Sequence, residues 1–281
     1  MGSSGRSPRP SSLRIVTITF LSDFGLRDDF VGTCHGVIAR IAPDARVIDI
    51  THGIEPQAVL QGAIVLANTL PYMPPGVHLA VVDPGVGTGR RALALRDAGG
   101  RIHVGPDNGL LVPAAEKLGG VEAAWELADP AYMLEPVSKT FHGRDVFSPA
   151  AAHIAAGLDP AELGPAVEPA ALVRLEVPEP VVDGSKIEAT VLYVDRYGNV
   201  QLNLSRADIE RAGIVAGRRI ELDLPTDRYY ATAASTFADA RAGDIILYED
   251  SYENIAIAVT GGNAAEMFSI KPGQQLSVDL L

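Results

Sequence analysis

The chain is poor in several things, and each shortage excludes something. Its 281 residues include one cysteine, Cys34. No intrachain disulfide can form, which fits a reducing cytoplasm. Cys34 lies in an apolar stretch and reads as core packing. Basic residues are outnumbered: 23 Lys and Arg face 35 Asp and Glu, for a formal net charge of −12. So acidic a chain repels a phosphate backbone, which argues against nucleic acid as a partner. No apolar run approaches the roughly 18 residues of a membrane span, so no membrane partner is expected. Residues 1–13 lack an apolar signal-peptide core and read as a disordered arm or expression remnant. The glycine-rich segments fit neither G-x-x-x-x-G-K-[ST] nor G-x-G-x-x-G, so neither nucleotide fingerprint applies. The scattered histidines show no zinc-site spacing, and no metal is expected. There is no internal repeat.

What is present is an ordinary globular composition, 47% hydrophobic and 21% charged, ample for one large domain or two modest ones. Residues 15–21, 46–50 and 77–83 are β-rich runs, and 92–96 with 101–105 suggest a hairpin. Between them, 29–41 and 57–69 carry apolar residues at helical spacing, and 147–156 forms an Ala-rich helix. Strands alternating with helices predict an α/β fold: an N-terminal three-layer α/β/α domain with a mostly parallel sheet, over residues 14–178. Residues 176–186, with two prolines and a glycine, read as a linker. Beyond it, short β-rich runs at 187–194, 199–203, 218–223, 245–248, 255–260 and 275–279 predict a smaller C-terminal antiparallel β-barrel domain over 187–281.

Five segments carry polar groups where chemistry can occur. In LSDFG (21–25), Asp23 follows the first strand, where open α/β sheets bind ligands. It is placed either to accept both hydroxyls of a ribose or to cap the next helix. Asp28 and Asp29 follow, and taken alone they read as acids favoured by that helix's dipole. In VVDPGVGTGRR (81–91), Asp83 ends an apolar strand and faces Arg90 across a glycine-rich loop. That pair is either structural or functional. In TFHGRD (140–145), His142 sits in a glycine-containing loop before a helix. It is the histidine best suited to chemistry, with His35, His52, His78, His103 and His153 structural by default. In DRYGN (195–199), Asp195 either opens a simple hairpin turn or holds an ammonium group while Tyr197 and Asn199 meet a flat ring. The GGNAA segment (261–265) is either a turn or a set of bare backbone groups for an adenine edge.

Taken together and in this order, Asp23 in LSDFG, Asp83 and Arg90 in VVDPGVGTGRR, VGPDNGLL at 104–111, His142 in TFHGRD, DRYGN and GGNAA resemble the S-adenosyl-L-methionine hydrolase family. These are the hydroxide adenosyltransferases, related to the fluorinases and chlorinases. The resemblance spans residues 14–281. It implies an α/β/α domain plus a β-barrel, assembled as a homotrimer with active sites where one subunit's N-terminal domain meets its neighbour's C-terminal domain. It implies hydrolysis of S-adenosyl-L-methionine to adenosine and L-methionine in the cytoplasm, without a cofactor. Asp83, Arg90 and His142 map onto the family's catalytic set, and Asp23 onto its ribose-binding aspartate. Asp28, Asp195 and Ser251 would meet the methionine end, and Tyr197, Asn199 and the backbone of Asn263, Ala264 and Ala265 the adenine. The halogenase relatives carry Tyr in place of Asp83. A carboxylate there would repel a halide but helps to orient a water nucleophile. Three departures stand out: Glu253 where Gly is usual, Ala256 where Glu is common, and His35 where Lys is frequent. The alternatives are a halide-dependent halogenase, a non-catalytic adenosine-binding protein, and an α/β metal hydrolase using Asp83 and His142 as ligands.

Overall fold

The computed structural model describes residues 16–224 and 227–281. The expected arm at 1–13 lies outside them. The chain divides into two compact units between Arg174 and Leu175.

In the first unit the elements run β1 (Thr17–Ser22), α1 (Phe30–Ile41), β2 (Arg46–Thr51), α2 (Val59–Thr69), β3 (Gly76–Val81), β4 (Ala92–Asp97), β5 (Ile102–Pro106), α3 (Val112–Lys117), β6 (Val121–Glu126), α4 (Ser148–Ala155) and β7 (Ala166–Val167). They build one sheet in the order β2-β1-β3-β5-β4-β6-β7. The pairs β1–β2, β1–β3 and β3–β5 are parallel. β4 is antiparallel to both β5 and β6, so β6 runs with the parallel set, and β7 runs against it. The sheet is mixed but mostly parallel.

Its layers follow from side-chain alternation. Ile18, Phe20, Val77, Leu79 and Val81 point to one face and form a core with Val31, Cys34 and Ile38 of α1 and Ala150, Ala151 and Ile154 of α4. On the other face α2 comes so close that a Cβ on its Gly62 would meet Val82 and Leu110. Cys34 is fully buried in the first core.

The second unit runs β8 (Val181–Asp183), β9 (Lys186–Val194), β10 (Val200–Leu202), α5 (Arg206–Arg211), β11 (Arg219–Asp223), β12 (Arg228–Ala233), β13 (Ile245–Glu249), β14 (Ile255–Val259), α6 (Ala264–Phe268) and β15 (Gln275–Leu280). The order β10-β14-β13-β12-β11-β15-β9 closes on itself through β9–β10, with β8 added outside β9. β10 closes the ring along the second half of β9, and β8 covers the edge left by its first residues. Ile187, Val191, Ile220, Leu222, Ile257, Phe268 and Val278 belong to its core.

Two details depart from the sequence reading. β12 and β13 pair in parallel, so the barrel is not wholly antiparallel. They are joined by a long connection rather than a tight turn, which frees the second strand's direction. Residues 181–183, expected as linker, form β8 and pair with β9.

Candidate active site

The first unit gathers three motif loops at the carboxyl ends of β1 and β3. Asp83 lies just beyond β3, where the chain turns sharply, with Val86 N–H donating to the Asp83 carbonyl at 3.2 Å. The loop then returns Arg90 to Asp83. Arg90 Nε donates to Asp83 Oδ1 at 2.9 Å and Oδ2 at 3.1 Å, and its Nη2 also contacts Oδ2. This pair is nearly buried, with side-chain exposures of 10% for Arg90 and 6% for Asp83. Burial makes the contact depend on being complete, because losing one partner strands a charge. Phe147 lies under the guanidinium, 5.0 Å from ring centre to Cζ.

The same Nη2 lies 2.8 Å from His142 Nδ1, so Arg90 joins all three groups. His142 precedes a π-helical turn, Gly143–Phe147, which leads into α4. Burial, and then the Arg90 charge, push the His142 imidazole below its ordinary pKa. Asp145 is a buried acid in the first turn of the π helix. Its carboxylate accepts from Ser138 N–H at 2.8 Å and from Arg144, and so ties down the strand of chain before His142. Two glycines set the spacing. Gly87 has φ +76°, and a Cβ there would lie 2.3 Å from the Lys139 carbonyl oxygen. A Cβ on Gly143 would lie 2.7 Å from Phe24.

Asp23 does not cap α1. The N-cap position belongs to Asp29, which makes no capping bond of its own. Instead Asp23 Oδ2 accepts from Gln57 N–H at 2.8 Å, and Gln57 adopts a left-handed φ of 68°. Burial raises the Asp23 pKa, and the nearby Asp83 charge adds to that rise. Asp28 is exposed at the bend before α1.

Sequence reasoning missed the parts that hold these loops together. Phe24, Phe30 and Phe141 stack edge to face with centroids 6.1, 5.7 and 5.2 Å apart, joining the loops of Asp23 and His142 to α1. Asn108 Nδ2 donates to the Val82 carbonyl at 2.8 Å, steadying the residue before Asp83. The neighbouring Asp107 pairs with Arg91. The DNG triplet at 107–109 was the available signal, since Gly109 adopts φ 91°.

The second unit gathers the remaining residues around two loops. Asp195 accepts from the N–H groups of Tyr197 and Asn199 at 2.8 and 2.9 Å and from Asn199 Nδ2 at 2.7 Å. Gly198 (φ 81°) lies against Asn263, leaving no room for a Cβ. Ala265 N–H donates to the Gly198 carbonyl at 3.0 Å, which links DRYGN to GGNAA. Asn263 caps α6 through Glu266 N–H, and Ala264 is buried. Tyr197 is 77% exposed, unusual for an aromatic of this size. Asp250 repeats the Asp195 device, accepting from the N–H groups of Tyr252 and Asn254. Ser251 is exposed beside it. Burial, with the charges of Asp195 and Asp250, pushes the Tyr248 phenol up to about 12, which places both acids near one ring. Glu253, standing where Gly was expected, takes the left-handed φ of 67° that favours Gly.

An acid, a guanidinium and an imidazole thus meet at the strand ends of an α/β sheet, with a second carboxylate nearby. A family model described as the SAM hydroxide adenosyltransferase N-terminal domain matches residues 18–164, and that of the C-terminal domain matches 189–277. The chain belongs to the SAM hydroxide adenosyltransferase family. It is 51% identical over 263 residues to a protein of Salinispora arenicola (strain CNS-205) named (R)-S-adenosyl-L-methionine hydrolase, covering 93% of this chain and 97% of that one. It is 30% identical over 290 residues to a fluorinase of Actinoplanes sp. (strain N902-109), covering 93% and 96%. Among solved structures, an uncharacterized conserved protein from Thermotoga maritima superposes with a TM-score of 0.87 at 34% identity, covering 93% of this chain and 99% of that one.

Proposed function

We propose that this enzyme hydrolyses S-adenosyl-L-methionine to adenosine and L-methionine by attack of water on the ribose 5′-carbon. The observation that carries the reading is Arg90, whose guanidinium contacts both Asp83 and His142. In the reaction the water oxygen bonds to C5′ as the C5′–S bond breaks. The sulfur keeps the electron pair and departs as the neutral thioether of methionine. Expulsion of a sulfonium needs no acid, metal or separate cofactor, so the barrier falls mainly through placement of the water in line with the breaking bond. Asp83 takes the water's proton. Arg90 favours hydroxide character beside it, and His142 donates to the oxygen from Nε2. A cation between Asp83 and His142 would meet the guanidinium already there, which disfavours the metal-hydrolase alternative.

In this reading Asp23 accepts the ribose hydroxyls. Asp28, Asp195 and Ser251 hold the methionine end, and Tyr197, Asn199 and the backbone of Asn263, Ala264 and Ala265 hold the adenine. Each unit carries only part of the set. We propose that a homotrimer completes it, one subunit's first unit facing a neighbour's second. The exposed Tyr197 supports this, because a large aromatic at a ligand loop gains most when covered. The reducing compartment implied by the single cysteine supports a cytoplasmic location. No helix among the described residues is long and apolar enough to cross a membrane.

The relative's name carries an R descriptor. The L descriptor fixes the α-carbon and the adenosyl group fixes the sugar, so R belongs to the sulfonium. The test is incubation with each sulfonium epimer, with and without chloride or fluoride, and identification of products by mass. Adenosine and methionine are expected under all halide conditions. A 5′-halo-adenosine as main product, or adenosine binding without turnover of either epimer, would overturn the reading. Light scattering should give the mass of three chains.

A further inference from the structure

Away from Asp83, Arg90 and His142, the first unit holds a second cluster that the reaction does not use. His35 on α1, Asp49 near the end of β2 and His52 just beyond it each turn one ligand atom to a common point, all within 4.8 Å of one another. His35 Nε2 lies 2.9 Å from Asp49 Oδ1, and His52 Nε2 lies 3.2 Å from the same oxygen. We propose that His35 Nε2, Asp49 and His52 Nε2 form a binding site for one divalent transition ion of the zinc class.

Three observations support the site. Asp49 Oδ1 lies 2.9 and 3.2 Å from the two imidazole nitrogens, not far from the roughly 3.3 Å between ligand atoms that bonds of about 2.0–2.1 Å give in a tetrahedral zinc centre. His52 is built as a ligating histidine. Its side chain is 2% exposed, its Nδ1 is held by Ser22 Oγ at 2.7 Å, and its Nε2 is left facing Asp49 Oδ1 at 3.2 Å. A ligating imidazole is oriented in this way, by a bond at its other nitrogen. Phe20 packs against both rings, with centroids 6.0 Å from His35 and 4.7 Å from His52. Two imidazoles and one carboxylate suit zinc, cobalt or nickel better than magnesium or calcium. The fourth position faces solvent, since His35 and Asp49 are 36% and 41% exposed.

An ion here would act on structure and not on substrate. It would clamp α1 to β2. Through His52 it would also steady the turn around Asp23, because the His52 carbonyl accepts from Gly25 N–H at 2.8 Å.

The test is titration of the full chain with Zn2+ against a chromophoric chelator, and with Co2+ by visible absorption. One ion per chain is expected, with the strong visible bands of tetrahedral Co2+. His35→Gln and Asp49→Asn, both at partly exposed positions, should each weaken binding at least about tenfold. His142→Ala should leave binding unchanged. The proposal is overturned if the parent binds neither metal, if either ligand variant keeps the parent affinity, or if His142→Ala abolishes binding.

Discussion

Arg90 Nη2 lies 2.8 Å from His142 Nδ1, and this contact fixes the state of the imidazole. A guanidinium only donates. Nδ1 must therefore be the acceptor, and the ring is neutral with its proton on Nε2. A ring in this state offers a water molecule a donor, and the acceptor left in the set is Asp83.

Replacing Asp83 by Asn should therefore lower kcat about 10²- to 10⁴-fold, the usual scale of a lost general base, with a much smaller change in KM. His142→Ala should also reduce turnover far more than ligand binding. Adenosine release under single-turnover conditions checks both. Parent-like rates in the two variants would remove the assignment.

The pH profile gives an independent check. His142 titrates below its ordinary value because burial and Arg90 disfavour its charged form. The neutral ring, which alone can accept Arg90 at Nδ1, should persist through neutral pH and be lost as pH falls through that lowered pKa. Removing the guanidinium takes away one of the two depressing causes and exposes the ring to an unpaired Asp83. In Arg90→Gln the acid limb of kcat should move to higher pH, on top of a lower plateau. An acid limb at the parent position would show that His142 does not control it.

Asp23 tests ligand binding rather than chemistry. Hydrogen bonds to a charged group contribute about 1.5–3 kcal/mol. Asp23→Asn should thus lower kcat/KM about 10- to 100-fold, mainly through KM, and weaken adenosine binding measured by calorimetry. A pure kcat effect would place Asp23 among the reacting groups instead.

Stability should fall in acid for a separate reason. His78 is fully buried, hydrogen-bonded to Thr19 Oγ1 at 2.8 Å, and burial pushes its pKa down to about 3. The unfolded chain takes up this proton near the ordinary histidine pKa of about 6.5, whereas the folded chain resists until about 3. Stability contributed by the neutral ring is present above the higher value and is lost as pH falls through that window. His78→Asn, which can keep the Thr19 bond, should lose less stability than the parent between neutral and mildly acid pH. Urea midpoints followed by fluorescence of the single tryptophan, Trp125 in the same sheet, would reveal equal losses if His78 were not responsible.

Much of the fold was legible because the β-rich runs and helical spacings are local. Runs such as 15–21 and 77–83 announce buried parallel strands, and Asp83 and His142 stand out because each follows such an element or opens one. Pairings between distant segments leave no local mark. The parallel contact of β12 with β13 depends on how the barrel closes, and β8 is a strand only because β9 offers an edge. The Phe24–Phe30–Phe141 stack is likewise invisible to periodicity, because its members come from three places. Asp195 reads differently still. Its carboxylate is already engaged by its own loop, so the hairpin reading and the binding reading are compatible and sequence had no reason to separate them. The convergence of His35, Asp49 and His52 could not be read from spacing, since it depends on how the turn between α1 and β2 folds the two elements together.

At Gly87 the loop carrying Arg90 presses backbone to backbone on Lys139, three residues before His142. The gap between the guanidinium and the imidazole is thus inherited from main-chain thickness and not chosen by either side chain. Gly143 is held in the same way on the other loop, where a Cβ would strike Phe24. A single methyl group at the Gly87 crossing would open the gap, so the position acts as a hard mechanical stop on how far the site can vary.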